Sequence, residues 1–197
     1  MKPIYSFRKS VLLLLTALLG PCSGIFTPLR AQNAYIANSL DNTVSVIRLS
    51  DNTVITTLNV GNFPYGVAVS SDGSRVYVTN AGDNVSVIDG ATNTVLTTIN
   101  VNTDPRGVAV SPNGSRVYVA NKGNDNVSVI DASNNTVLTT IDVGASPQGV
   151  AVSPDGSRVY VTNDSNSSVS VIDASNNTVL TTINVNTDPH AVAVSPD

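Results

Sequence analysis

One segment of this chain is written three times over. GVAVSSDGSRVYVTN at 66–80 returns as GVAVSPNGSRVYVAN at 107–121 and as GVAVSPDGSRVYVTN at 149–163. AYIAN at 34–38 and AVAVSPD at 191–197 are partial copies of the same unit. Pro64, Pro105, Pro147 and Pro189 keep the register, at spacings of 41, 42 and 42 residues. A period of this length means that one supersecondary unit is stacked on copies of itself, because a single unit cannot bury its apolar face alone. The units delimited this way are 34–75, 76–116, 117–158 and 159–197.

Within a unit the pattern is that of short strands. In the second unit, GVAV leads through SSDG to SRVYVT, NAGDN separates that from VSVID, and GATN precedes TVLTTINV. Asp-Gly and Asn-Gly accept the positive backbone angles of tight hairpins, and Asx side chains satisfy nearby backbone groups. No stretch after residue 30 has helical periodicity. GVAV is apolar at consecutive positions, as suits a sheet covered on both faces. The expectation is all-β: a β-propeller of about four four-stranded antiparallel blades, complete in itself or a piece of a seven-bladed one. With 41% hydrophobic and 12% charged residues, the chain has the material for one packed core and is not a disordered one.

Residues 1–31 read differently. Lys2, Arg8 and Lys9 precede VLLLLTALLG, an apolar run too short to span a bilayer, and small residues follow. This is a secretory signal peptide, which places 32–197 in the periplasm, outside the cell or on its surface, with no transmembrane span after its removal. Cys22 in LGPC outlines a lipidation box that Pro21 fits poorly. Without Cys22 the exported chain has no cysteine, so packing alone must hold it.

The chemistry available is narrow. All 14 acidic residues are Asp, and there is one His and no Trp. Asp89, Asp131 and Asp173 end the VID strands, and Asp72 and Asp155 sit in hairpins; their recurrence points to turn architecture. The Asp and Asn of SLDN, AGDN, KGNDN and DSNSS could ligate calcium but read better as caps of backbone groups. The sequence therefore calls for neither metal nor cofactor. After residue 31, six basic residues face 14 Asp, a net charge of −8 that disfavours nucleic acid. Arg75, Arg116 and Arg158 read as partners of an Asp of their own turns.

Variation among near-identical units marks the candidate site. The residue after each periodic proline is Tyr65, Arg106, Gln148 and His190 in turn. In a propeller these positions surround the mouth of the central channel, a concave place where ligands bind.

The stretches VYVTN (76–80 and 159–163) and VYVAN (117–121), preceded by SPDGSR-like turns and followed by SVID, resemble the YVTN-family β-propeller repeat. The resemblance implies an exported propeller, usually of seven blades and mostly non-enzymatic. On that basis the expected function is a binding or cell-surface interaction scaffold, with a protein, envelope component or glycan as partner. The resemblance also implies two alternatives, a lactonase-like small-molecule enzyme and a periplasmic single-stranded-DNA-binding propeller. Seven blades exceed this length, so AVAV would either complete the first blade of a closed ring or mark a partial propeller, alone or as a dimer of half-rings.

Overall fold

The computed structural model describes residues 32–196, and the segment read as a signal peptide lies outside them. Four antiparallel sheets follow one another in chain order. The first contains β1 (Asn33–Asn38), β2 (Thr43–Arg48) and β3 (Thr53–Asn59). The second runs β4 (Pro64–Val69), β5 (Arg75–Asn80), β6 (Asn84–Asp89), β7 (Thr94–Asn100), and the third β8 (Pro105–Val110), β9 (Arg116–Asn121), β10 (Asn126–Asp131), β11 (Thr136–Asp142). The fourth is β12 (Pro147–Val152), β13 (Arg158–Asn163), β14 (Ser168–Asp173) and β15 (Thr178–Asn184). The all-β propeller expectation holds, with one difference: among the described residues the first blade has three strands. Each of the first three sequence units thus supplies three strands to one blade and the innermost strand of the next. No helix among the described residues is long and apolar enough to cross a membrane.

Blades pack face to face, as the consecutive apolar residues require. Tyr77, Val85, Val87 and Ile99 of the second blade meet Val117, Val119 and Ile130 of the third. Tyr118, Ala120, Val127, Val129 and Ile141 of the third meet Val150, Val159, Val161 and Ile172 of the fourth. The two middle strands of each blade are the most buried, and the outermost strand, TVLTTIN or TVLTTID, is largely exposed.

The ends of the middle strands are tied by a repeated polar lock. Asn80 Nδ2 donates to Ser86 Oγ at 3.0 Å, Asn121 to Ser128 at 2.8 Å and Asn163 to Ser170 at 2.9 Å. Buried amides of this kind are tolerable only when bonded, which explains why Asn and Ser recur together.

A second lock joins neighbouring blades at the axis. Gly66, Gly107 and Gly149 let the next inner strand come so close that an added Cβ would stand 2.4, 2.4 and 2.6 Å from the backbone oxygens of Arg106, Gln148 and His190. Thr79 Oγ1 donates to Arg106 O at 2.6 Å while accepting from Gly66 N at 2.8 Å. Thr162 does the same with His190 O (3.1 Å) and Gly149 N (2.8 Å). In the third blade the position is Ala120, fully buried, which has no hydroxyl. Ala120→Thr should restore the stitch between blades three and four, adding about 1 kcal/mol. Thermal unfolding should then shift upward by about 2–4 °C; an unchanged or lower midpoint would contradict this account of the seam.

The AVAV segment does not close the ring by pairing with β1. The first sheet has the order β1-β2-β3, and AVAV instead continues the spiral beside β12, held through His190 O.

Candidate functional site

The loops that lead into the inner strands share one unusual geometry. Phe63, Asp104, Ser146 and Asp188, each directly before its proline, all have positive φ, between 51° and 55°. Left-handed backbone is uncommon for residues other than glycine, and a following proline further disfavours helical conformations. The conformation is held from the preceding blade: Asn42 Oδ1 accepts from Phe63 N at 2.8 Å, Asp83 Oδ1 from Asp104 N at 3.1 Å, and Asp125 Oδ1 from Ser146 N at 2.8 Å. The Asx residues of the second loops are therefore backbone caps, as their turn chemistry suggested. Among the described residues no group of three or more His, Cys, Asp or Glu is placed to hold a metal ion.

These loops carry the four variable residues into equivalent positions of successive blades. Arg106 lies over the Tyr65 ring, 4.7 Å from its centroid, a cation–π contact across the seam between blades two and three. Its Nη2 pairs with Asp104 at 2.9 Å, and its Nε is buried with no hydrogen-bond partner. An unsatisfied N–H of a charged group is an unusual thing to bury, and it is the one buried unpaired charged donor found among the described residues. Gln148 is 8% exposed and donates through Nε2 to Asp164 Oδ2 at 3.3 Å. His190 is exposed. The structure thus joins Tyr65 to Arg106, whereas no hydrogen bond, ion pair or ring contact links the Gln148 or His190 side chains to that pair.

The opposite face is occupied by turn chemistry. Asp131 and Asp173 are held below the usual carboxylate range, first by the Ser133 and Ser175 hydroxyls, and Asp89 first by the Thr92 N–H. Asp155 is lowered to about 2, with the Ser153 hydroxyl the leading cause. Groups so stabilised as anions are poor proton donors, which agrees with their reading as structural. Arg75, Arg116 and Arg158 pair with Asp89, Asp131 and Asp173 at 3.4, 3.4 and 3.6 Å. Their partners lie across the strand pair and not in their own hairpins, because the antiparallel register sets Arg75 opposite Asp89 and Arg158 opposite Asp173.

Known proteins decide what this frame belongs to. The profile of the lactonase family, described as a seven-bladed β-propeller, matches residues 10–140, more than half of the chain. The chain belongs to the lactonase family. Lactonase-type propellers have seven blades, so the four present here are part of such a ring. Two solved structures have the same fold: hydrazine synthase from Kuenenia stuttgartiensis, with 28% identity and a TM-score of 0.75, and a functionally unknown protein from Desulfotomaculum acetoxidans, with 18% identity and a TM-score of 0.75. The alignments take in 78% and 83% of this chain but 46% and 56% of those chains. No curated protein matches it.

Membership in the lactonase family overturns the expectation of a non-enzymatic scaffold. That expectation rested on the resemblance to a repeat that is mostly non-enzymatic, and the scarcity of titratable groups does not rescue it, because ring-opening hydrolysis asks for only one fixed donor for an oxyanion and one proton acceptor. Arg106 and His190, two of the four variable positions, are the residues on which a lactonase-like reading of the sequence rests.

Proposed function

We propose that this chain belongs to a lactone hydrolase, and that the lactone carbonyl binds at the channel mouth against Arg106. The observation that carries this reading is the part-exposed Arg106 guanidinium, fixed by its ion pair with Asp104 and by the Tyr65 ring beside it. Water adds to the carbonyl carbon, and the part-exposed guanidinium of Arg106 donates to the oxygen as negative charge develops there. His190, the only imidazole of the chain, accepts the proton of the attacking water. The acyl carbon–oxygen bond then breaks, the ring oxygen leaves with a proton as an alcohol, and a hydroxy acid results. Tyr65 and Gln148 line the approach. The basic and apolar start of the chain supports export, and the VYVTN motifs support a repeat of the YVTN type within the family.

The test is pH-stat titration of γ- and δ-lactones with the full chain. Arg106→Ala should lower kcat/KM by about 100-fold, with circular dichroism unchanged, as for loss of one oxyanion donor. Hydrolysis at the rate of buffer, or full activity in the variant, would overturn the reading.

A further inference from the structure

Repeats that are nearly identical make any local difference conspicuous, and three differences from the seam between blades two and three coincide at the seam between blades three and four. The first is Ser168, at the start of β14, where the second and third blades have Asn84 and Asn126. The second is Gly144, where the link into the third blade has Asn102, although the link into the second blade also has a glycine, Gly61. The third is Asp142, the last residue of β11, where the other outer strands end in Asn59, Asn100 and Asn184. In the third blade Asn102 Nδ2 reaches Asn126 Oδ1 at 3.0 Å and fills the corresponding space. In the second, the Asn84 amide lies against Gly61. At blade four both amides are missing, and a cleft of about 360 Å³ opens, lined by Asp142, Gly144, Asn166, Ser168, Ser170 and Thr182 among others.

The walls specify a chemistry. Ser168 and Ser170 are 2% and 1% exposed, and each hydroxyl oxygen accepts from Asn163 Nδ2, at 3.1 and 2.9 Å. Among the described residues neither hydroxyl donates to a protein acceptor, so each keeps a hydrogen for an occupant. Asp142 is exposed and offers acceptors only. Val143 and Val179 supply an apolar side, and no cationic residue lines the space. Asn166 holds the rim by accepting from Ala145 N. Small-molecule sites occupy about 300–1,000 Å³, and this cleft falls at the lower end.

We propose that this cleft is a second binding site, separate from the channel mouth, for a neutral polyhydroxylated molecule of the size of one hexopyranose. Vicinal hydroxyls donate to the Asp142 carboxylate and accept from Ser168 and Ser170, while the ring C–H face rests on Val143 and Val179. An anion finds no cation there, and a large ligand finds no room.

The experiment is titration of the full chain with D-glucose, followed by amide chemical shifts. Saturable shifts at Asn166, Ser168, Ser170 and Thr182 are expected. Ser168→Asn and Asp142→Asn install the residues that other blades already carry, so both variants should fold. Ser168→Asn should weaken glucose binding at least about tenfold, equivalent to about 1.4 kcal/mol, and Asp142→Asn should weaken it several-fold. Arg106→Ala should leave it unchanged, which separates this site from the lactone reading. Non-saturable shifts, shifts confined to other surfaces, equal binding by Ser168→Asn, or preference for phosphate or ethylammonium over glucose would each overturn the proposal.

Discussion

Gly107→Ala should destabilise the protein by about 3 kcal/mol, although it adds a single methyl group. The methyl carbon would stand 2.4 Å from Gln148 O, 3.0 Å from Val150 N and 3.2 Å from Gly149 Cα. All three are backbone atoms of the neighbouring inner strand, so no side chain can rotate away and the whole of blade four must retreat. Since native stability is only about 5–15 kcal/mol, the loss would show directly in the midpoint of urea unfolding. The same experiment on Gly114 is the control. Gly114 has a positive φ of 72° with open space around its Cβ, so its cost is backbone strain at a hairpin with the seam untouched. A Gly107→Ala protein as stable as wild type would mean that the inner strands are not packed as tightly as described.

Tyr118→Ala should have a comparable or larger effect, about 4 kcal/mol, by the measure of other large aromatic truncations. Tyr118 is 1% exposed and packs with Val127, Val129 and Val159 in the cluster that joins blades three and four. Burial also pushes its phenol above the ordinary value. Tyr118→Phe keeps the ring and should cost far less, so the difference between the two variants measures packing apart from the hydroxyl. Equal losses from both would assign the stability to the hydroxyl instead.

How far these features were legible in the sequence depends on the distance over which each is determined. Hairpins, strand lengths and blade stacking follow from local chemistry repeated every 41 or 42 residues, and they stand as read. The partner of Arg75 was misplaced because Asp72 is nearer in sequence, whereas the register sets Asp89 opposite it. The missing stitch at Ala120 and the cleft beside Ser168 are single-residue departures whose meaning exists only once a second blade is in place. Arg106 was identified by its position, but the way its guanidinium is fixed depends on Asp104 and Tyr65 together. The mistaken scaffold reading came from the resemblance to a mostly non-enzymatic repeat, and the match to the lactonase family overturns it.

The stitch at the axis has an evolutionary consequence. Thr79 and Thr162 hold Arg106 and His190 by hydrogen bonds to their backbone oxygens, and at the third seam Gly107 allows the backbone of Gln148 to approach closely. None of these attachments involves the side chain. A codon change at such a position therefore alters the side chain presented there while leaving the backbone stitch intact, and among the described residues only at Arg106 does it also remove a side-chain contact across the seam, the one with Tyr65.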